Sequence, residues 1–345
     1  MRSFVALALL GLFSPLAFAE PLQTVAELSS YKATSRYADV VSFCETVAKQ
    51  SPIAKLSYFG TSHEGRKLPL LTIANPSVSS AEEARKQGKL VVLAFANIHA
   101  GEVDGKEALL ALARDLTEKP DHPLLKDLVI LLVPILNADG NERIDPKNRP
   151  GDKGPVEGAG IRENAQEFDL NRDFVKLETP EIRALVKLIN LWDPPVIIDC
   201  HTTNGSKHRH TLTYDGPRYL SEPLENWARG VLFPSVIGRV KESTGFDIAP
   251  YGNFSQDRTK WETYPALPRY GVQYFALRQR IGILSESYSY ASFKDRVLAS
   301  YAFVKACFEI VAREKENVTK LIARENDAKH AMALRTKTVP TDRKL

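Results

Sequence analysis

The stretch Lys89–Thr117 reads KLVVLAFANIHAGEVDGKEALLALARDLT. Its first eight residues form an apolar run typical of a buried β-strand, and its second half has the periodicity of an amphipathic helix. His99 and Glu102 lie between the two, where a strand leads into a helix. Ligands of open α/β sheets bind outside the carboxyl ends of the strands. An imidazole and a carboxylate at that place suit a borderline metal such as zinc, although an ordinary solvated His and Glu would leave the same pattern.

The rest of the chain continues the alternation of strands and helices. The pattern predicts a hairpin over 54–76, buried strands over 128–136, 196–200 and 281–284, and helices over 22–49, 180–191, 223–243 and from 293 onward. This order indicates an α/β fold with a mixed, mostly parallel twisted sheet and helices on both faces. Asp104 and Glu107 are interpreted as acids that favour the first turn of the helix after the opening strand.

The composition is that of an ordinary globular protein and argues against a nucleic-acid partner. Hydrophobic residues make up 43% of the sequence, charged residues 26%, and the formal net charge is +4. No basic block stands out, so we expect no nucleic-acid partner. The three cysteines are too few for a disulfide framework; a bridge between Cys44 and Cys307 stays open, and Cys200 is expected to be a buried apolar residue.

The N-terminus has the pattern of an export signal. Arg2 precedes the apolar run FVALALLGLF, and Ala17-Phe18-Ala19 forms a small-residue cleavage site. We therefore expect a signal peptide over 1–19, a catalytic domain over 20–315 and a charged helical C-terminal extension over 316–345. The mature protein is expected to be exported, periplasmic or extracellular, without stable membrane insertion.

Polar side chains recur where the predicted strands end. His201 follows the apolar run VIIDC, and Glu286 follows the short strand that ends at Leu284. A catalytic zinc site needs three protein ligands and one open position, and His99, Glu102 and His201 are such a set. Glu286 is a further carboxylate that can act as a general base. Arg172 offers a planar fork suited to a carboxylate.

With these residues, the chain resembles the zinc metallocarboxypeptidases of the carboxypeptidase A type over roughly residues 31–308. His99-Ala100-Gly101-Glu102 is similar to that family's first zinc motif, His201 to its third ligand, and Asp169-Leu170-Asn171-Arg172 to its Asp-x-Asn-Arg motif. The resemblance implies one zinc ion per chain and a role for Asp169 in orienting His99. It also implies that Asn171 and Arg172 hold the terminal carboxylate of a peptide and that Glu286 is the catalytic base.

The resemblance implies two further catalytic roles, and more than one residue could fill each of them. The family carries an arginine that polarises the scissile carbonyl; we assign it to Arg162, with Arg149 as the alternative. The family also has a mobile tyrosine that closes over the substrate. Tyr264 has a matching separation from Glu286, and the tyrosines that compete with it are Tyr251, Tyr270 and Tyr274.

The sequence therefore predicts an exported zinc exopeptidase that removes the C-terminal residue from a peptide with a free carboxylate. A zinc amidase acting on cell-wall stem peptides or N-acyl amino acids is the nearest alternative. A catalytically silent peptide-binding module is the alternative from another class, and an intact Glu286 counts against it. The side-chain preference and the oligomeric state do not follow from the sequence.

Overall fold

The computed structural model describes residues 21–203 and 205–327. The strands in this part of the chain are β1 Ala54–Thr61, β2 Lys67–Ile73, β3 Leu90–Ala96, β4 Leu128–Val133, β5 Val196–Thr202, β6 Leu212–Asp215, β7 Ile248–Pro250, β8 Asn253–Phe254, β9 Trp261–Glu262 and β10 Ile281–Ser287. The α-helices there are α1 Val25–Leu28, α2 Tyr37–Gln50, α3 Ala81–Lys86, α4 Asp104–Glu118, α5 Leu124–Asp127, α6 Ala138–Asn141, α7 Pro180–Trp192, α8 Glu222–Trp227, α9 Phe233–Thr244, α10 Gly271–Leu277, α11 Phe293–Arg313 and α12 Lys315–Asp327. A 3₁₀ turn spans Leu170–Arg172, and a π-helical turn at Ala228–Leu232 joins α8 to α9. The predicted signal peptide lies outside the described residues, as do residues 328–345 of the predicted extension.

An eight-stranded sheet with the order β1-β2-β4-β3-β5-β10-β6-β7 forms the centre of the fold. The four inner strands β4, β3, β5 and β10 run parallel to one another. The hairpin of β1 and β2 adds antiparallel to β4, and β6 adds antiparallel to β10 on the other side. The predicted mixed, mostly parallel sheet is confirmed.

Helices cover both faces of the inner strands, which explains why these strands are continuous apolar runs rather than alternating ones. On one face α4 packs over β3 and β5, so closely that a Cβ atom on Gly105 would lie 2.5 Å from Cβ of Cys200. On the other face α10 packs over β5 and β10, where the ring of Phe275 meets that of Phe95 edge-on. The functional side chains described below lie on the α10 face.

The N-terminal region differs from the single helix predicted over 22–49. It forms α1 and α2, which are separated by an irregular segment that binds a buried glutamate of α4. Glu107 Oε1 accepts hydrogen bonds from Thr34 Oγ1 at 2.8 Å and from the Ser35 backbone N–H at 2.7 Å. The predicted helix breaks because Glu107 satisfies polar groups of an extended segment there. Glu107 does lie in the first turn of α4, but it is fully buried and fastens this segment.

Several short elements were missed by the sequence analysis. Strand β6 lies within residues 202–217 and α10 begins within residues 251–274, where the sequence pattern predicts no regular element. Strand β5 extends to Thr202 and β10 to Ser287, so His201 and Glu286 lie within strands rather than just beyond them. These strands are longer than their apolar runs because β10 pairs with both β5 and β6 over its polar end.

A buried cluster joins the ends of β5 and β10 from the α4 face; we call Asp104, Thr202, Ser287 and Arg296 the Asp104 cluster. Asp104 Oδ2 accepts hydrogen bonds from Thr202 Oγ1 at 2.5 Å and from Ser287 Oγ at 2.6 Å, and its Oδ1 accepts one from Arg296 Nε at 2.9 Å. Asp104 is in the first turn of α4, as predicted, yet it is buried rather than solvated. Thr202 follows His201 and Ser287 follows Glu286, so the cluster fixes the spacing of those two side chains.

Three further expectations can be compared with the fold. Cys44, Cys200 and Cys307 are all free and buried, so the bridge between Cys44 and Cys307 is absent. Helix α12 starts close to the predicted domain boundary, and its Val318 is buried in the main core. No helix within the described residues is long and apolar enough to cross a membrane.

Candidate active site

The parallel register of β5 and β10 brings His201 directly beside Glu286. His99 and Glu102 reach the same place from the turn after β3. That turn begins at Asn97, whose φ is +62°, a left-handed conformation that asparagine tolerates better than most residues. The Glu102 N–H donates to the carbonyl of His99 at 3.0 Å and closes the turn. The ends of β3, β5 and β10 therefore bring together the four side chains that the sequence predicts in one site: His99, Glu102, His201 and Glu286.

His99, Glu102 and His201 point their donor atoms at one another. Oε1 of Glu102 lies 3.0 Å from Nδ1 of His99, and Oε2 lies 2.8 Å from Nδ1 of His201. The two Nδ1 atoms are 3.2 Å apart, and each of the three residues is at most 4% exposed. Burial opposes the charged form of Glu102, yet the two imidazoles hold its pKa well below the usual range. Such a set of converging donors fits a divalent metal ion.

The outer nitrogen of each imidazole faces a carboxylate. Nε2 of His99 lies 3.0 Å from Oδ1 of Asp169, and Nε2 of His201 lies 2.9 Å from Oδ2 of Asp199. Burial alone would lower the pKa of His201, but Asp199 and Glu102 raise it well above its ordinary value. With one proton held on each outer nitrogen, a metal ion that displaces the proton from Nδ1 can bind both rings through their Nδ1 lone pairs. Asp169 was predicted here, whereas Asp199 was missed.

The alternation of β5 contains the signal that would have found Asp199. Side chains two residues apart on a strand lie on the same face, and Asp199 precedes His201 by two. Its carboxylate is fully buried, which an isolated charge would not tolerate without a nearby partner. An aspartate inside the apolar run VIIDC therefore indicates a partner on that face.

Glu286 lines the same cavity without taking part in the three-donor set. Burial, the largest influence, raises its pKa to about 7 despite the nearby imidazoles of His201 and His99. A carboxyl group with a pKa near neutrality can both accept and return a proton, which is the property of a general acid–base group.

The two rival arginines occupy different surroundings. Arg162 lines the cavity, is 35% exposed, and places one guanidinium nitrogen 3.2 Å from Nδ1 of His99. Its Nε donates to Oδ2 of Asp169 at 3.0 Å. Arg149 is 15% exposed and donates to the backbone carbonyls of Thr202 and Thr203 at 3.3 and 3.1 Å. Both arginines place a guanidinium nitrogen 3.5 Å from Oε1 of Glu102, but Arg162 lines the cavity, whereas Arg149 does not and binds the segment that follows α6 to the end of β5.

Asn171 and Arg172 also line the cavity. The Asn171 amide nitrogen lies 3.3 Å from Nε2 of His201, and its Oδ1 accepts from the Gly271 N–H at 2.9 Å. The guanidinium of Arg172 stacks over the ring of Tyr270, 4.5 Å from the ring centroid, and is 37% exposed. Asn171 is thus fixed, whereas Arg172 keeps donors available to a ligand.

Of the four tyrosines considered, Tyr251, Tyr264 and Tyr270 line the cavity. Tyr274 instead packs against Phe174, with 5.7 Å between ring centroids. The charge of Glu286, together with burial, raises the pKa of the Tyr251 hydroxyl. Burial is the main cause that raises the pKa of Tyr264, and Asp215 contributes to it. Glu286 thus has the largest influence on Tyr251, whereas the hydroxyl of Tyr264 lies 3.5 Å from Nε2 of Gln273.

Together these side chains line a cavity of about 350 Å³, large enough for part of a small ligand. The members of its wall are His99, Glu102, Arg162, Asn171, Arg172, His201, Thr202, Tyr251, Tyr264, Tyr270, Val272, Leu284 and Glu286. Of the site residues predicted from the sequence, only Asp169 is outside this wall, and it contacts His99 and Arg162 from behind.

Solved structures with the same fold are metallocarboxypeptidases. The chain aligns with a metallo-carboxypeptidase from Burkholderia cenocepacia at a TM-score of 0.56 and 17% identity, over 81% of this chain and 69% of that one. It aligns with carboxypeptidase A from Helicoverpa armigera at a TM-score of 0.57 and 16% identity, over 82% of this chain and 74% of that one. At these identities the likeness concerns the fold.

Sequence relatives point to the same group. Carboxypeptidase D from Rattus norvegicus is 31% identical over 213 residues, which are 59% of this chain and 14% of that protein. Carboxypeptidase 2 from Trichophyton tonsurans is 25% identical over 282 residues, 76% of this chain and 49% of that protein. The chain thus spans half or less of the length of these relatives. The model of the zinc carboxypeptidase family matches residues 40–224, more than half of the 345 residues. The chain belongs to the zinc carboxypeptidase family.

Proposed function

We propose that the protein is a zinc-dependent carboxypeptidase that hydrolyses the last peptide bond of a substrate with a free C-terminal carboxylate. The observation that carries the proposal is the shared cavity. It combines a three-donor metal set, a carboxyl group with a pKa near neutrality, and two partly exposed arginines. A binding module would have no use for Glu286 in that position.

His99, Glu102 and His201 would hold one zinc ion, and their donor chemistry fits it. When bound, zinc supplies a Lewis acid that acidifies water and polarises a carbonyl group. Asp169 and Asp199 keep the two imidazoles oriented for this role through their outer nitrogens.

Glu286 is the proposed base. Its carboxylate takes a proton from the attacking water and delivers it to the amide nitrogen of the departing residue. The raised pKa suits both halves of this transfer, because the group is basic enough to accept the proton and acidic enough to release it. Arg162 is proposed to donate to the carbonyl oxygen as negative charge develops on it, since its guanidinium faces the cavity from the side of His99.

Asn171 and Arg172 are the proposed receptors of the terminal carboxylate. Arg172 presents a planar donor fork, and its stacking on Tyr270 orients that fork. Tyr264 is proposed to form part of the wall against which the substrate packs. Tyr251, on which Glu286 has the largest influence, is the stronger candidate for a tyrosine that closes over the substrate.

The decisive experiment compares one peptide in its free-acid and C-terminally amidated forms. The amidated peptide lacks the charge-assisted contact with Arg172, a loss of roughly 1.5–3 kcal/mol, so kcat/KM should be on the order of 10–100-fold lower for the amidated peptide. In Arg172→Ala the difference between the two peptides should largely vanish. Arg269→Ala is the matched control, because Arg269 approaches the same Tyr270 ring, at 5.4 Å, but does not line the cavity.

Equal rates on the two peptides by the unmutated enzyme would refute exopeptidase action. A cell-wall stem peptide in the same assay tests the amidase alternative, which would require that substrate to be hydrolysed faster than ordinary peptides.

We also propose that the protein is exported after removal of residues 1–19. The charged start, apolar run and small-residue site support this proposal. N-terminal sequencing of the protein recovered from its source cells should yield a mature chain beginning at Glu20. A chain that retains Met1–Ala19 would contradict it.

A further inference from the structure

The carboxylate of Glu102 has a guanidinium partner outside the cavity. Both imidazoles of the metal set have an outer carboxylate, and a carboxylate ligand needs an outer group of the opposite charge for the same purpose. Arg149 is such a group, because one of its terminal nitrogens lies 3.5 Å from Oε1 of Glu102. Arg149 is 15% exposed and is absent from the cavity wall, so it reaches Glu102 from behind the site.

The same guanidinium binds the backbone that follows His201. Its other terminal nitrogen donates to the carbonyl groups of Thr202 and Thr203 at 3.3 and 3.1 Å. The N–H of Thr202 in turn donates to Oε2 of Glu102 at 3.1 Å. Arg149, the Thr202 backbone and the Glu102 carboxylate therefore form a closed ring of polar contacts. Since Thr202 directly follows His201, this ring fixes two of the three metal donors relative to each other.

Arg149 is itself held in one position. Its Nε donates to Oδ2 of Asp152 at 3.2 Å, and the Asp152 N–H donates to the Arg149 carbonyl at 3.1 Å. The alkyl stem of Arg149 passes over Gly101, where a Cβ atom would lie only 3.1 Å from Cγ and 3.2 Å from Cδ. A glycine between the first two metal donors therefore leaves the room that this stem needs.

Arg162 contacts Glu102 under different conditions. It reaches Oε1 of Glu102 at the same distance of 3.5 Å, but it lines the cavity and is 35% exposed. Its stronger ion pair is with Asp169, at 2.8 Å. The guanidinium of Arg162 is thus available to a substrate, whereas that of Arg149 is bound to Glu102, Asp152 and the end of β5.

We infer that Arg149 is a positioning residue for the metal: it holds the Glu102 carboxylate against the end of β5 and thereby raises the affinity of the site for zinc. Outer partners of metal ligands contribute about 10–100-fold to metal affinity. The positive charge of Arg149 does not oppose this effect strongly, because the carboxylates of Glu102 and Asp152 offset it. The inference rests on the ligand set of the proposed function and deepens it.

The test measures the dissociation constant of zinc from the full-length protein, by competition with a chromophoric chelator after the metal has been removed. In Arg149→Met this constant should rise about 10–100-fold. Arg149→Lys keeps the charge but not the planar fork, so it should raise the constant as well, because one ammonium group cannot reach Glu102, Asp152 and two carbonyl groups together. Cobalt(II) bound to either variant should have a changed visible spectrum, since Glu102 takes a different position at the metal.

Arg143→Met is the matched control. Arg143 belongs to the same segment after α6, and its ion pair of 3.3 Å with Glu64 lies outside the cavity. Its zinc dissociation constant should equal that of the unmutated protein, and a rise as large as in Arg149→Met would overturn the inference. An unchanged constant in Arg149→Lys would overturn it too, even if Arg149→Met failed to fold.

Activity at saturating zinc separates positioning from a direct part in catalysis. Once zinc exceeds the raised dissociation constant, kcat of Arg149→Met should return close to that of the unmutated enzyme. A lowered kcat with an unchanged zinc dissociation constant would instead make Arg149 the arginine that polarises the carbonyl, which would overturn the inference and leave the proposed function intact. Tight zinc binding that depends on Arg149, without hydrolysis of any peptide, would overturn the proposed function and support the role of Arg149.

Discussion

Replacing Asp104 by alanine should destabilise the protein far more than an ordinary loss of a charge. Asp104 binds three partners in the Asp104 cluster, and Arg296 is the largest fully buried side chain in the described part of the chain. The substitution leaves the guanidinium of Arg296 with backbone carbonyls, those of Ser289, Ala291 and Gly154, and with a longer ion pair of 4.0 Å to Oδ2 of Asp152. Breaking a buried ion pair in this way costs roughly 3–5 kcal/mol in the free energy of unfolding.

Urea unfolding at neutral pH measures this cost. The double variant Asp104→Ala/Arg296→Met should recover much of the loss, because it leaves no unpaired charge. Glu314→Ala, which removes the partially exposed partner of Arg313, is the control and should change the free energy of unfolding by no more than about 1 kcal/mol. If Asp104→Ala were as mild as this control, the cluster would not hold β5 and β10 together, and the reasoning would be refuted.

Three further outcomes are expected. His201→Ala should lose bound zinc together with activity, as measured by metal analysis of the purified protein; full zinc occupancy would contradict the ligand assignment. Glu286→Gln should keep its zinc while kcat falls by about 10²–10⁴-fold, and zinc loss in proportion to activity would make Glu286 a ligand instead. Burial raises the pKa of the Asp152 carboxyl group to about 6, so the folded state binds the carboxyl proton more tightly than the unfolded state does. The resulting contribution to the free energy of unfolding is lost as the pH rises from about 4 to 6. Relative to the unmutated protein, Asp152→Asn should therefore gain up to about 3 kcal/mol of unfolding free energy between pH 4 and pH 7, and a pH-independent difference would contradict this.

The sequence predicts those parts of the fold that the local pattern of apolar and polar residues determines. The inner strands are continuous apolar runs, so their place in a covered sheet could be predicted, and polar residues at their ends stand out against them. That contrast is why the sequence alone predicts one site that contains His99, Glu102, His201 and Glu286.

What could not be predicted depends on contacts between distant segments. Strand β6 has only four residues, and its pairing with β10 decides that it is a strand at all. Asp104 and Arg296 are 192 positions apart, so nothing local indicates that they form a buried pair. The break between α1 and α2 likewise arises because Glu107, far along the chain, binds the segment at Thr34 and Ser35.

The strict alternation of side chains along β10 has a consequence for how this protein can change. Glu286 faces the cavity while Ser285 and Ser287 face α4, so inserting or deleting one residue early in this strand would exchange a carboxylate for a hydroxyl at the reacting position. The segments 205–211, 255–260 and 263–270 contain no strand, so they can change in length while the strands stay in register. Variation in substrate choice should therefore accumulate as insertions and deletions in those connections, and the two catalytic strands should tolerate none.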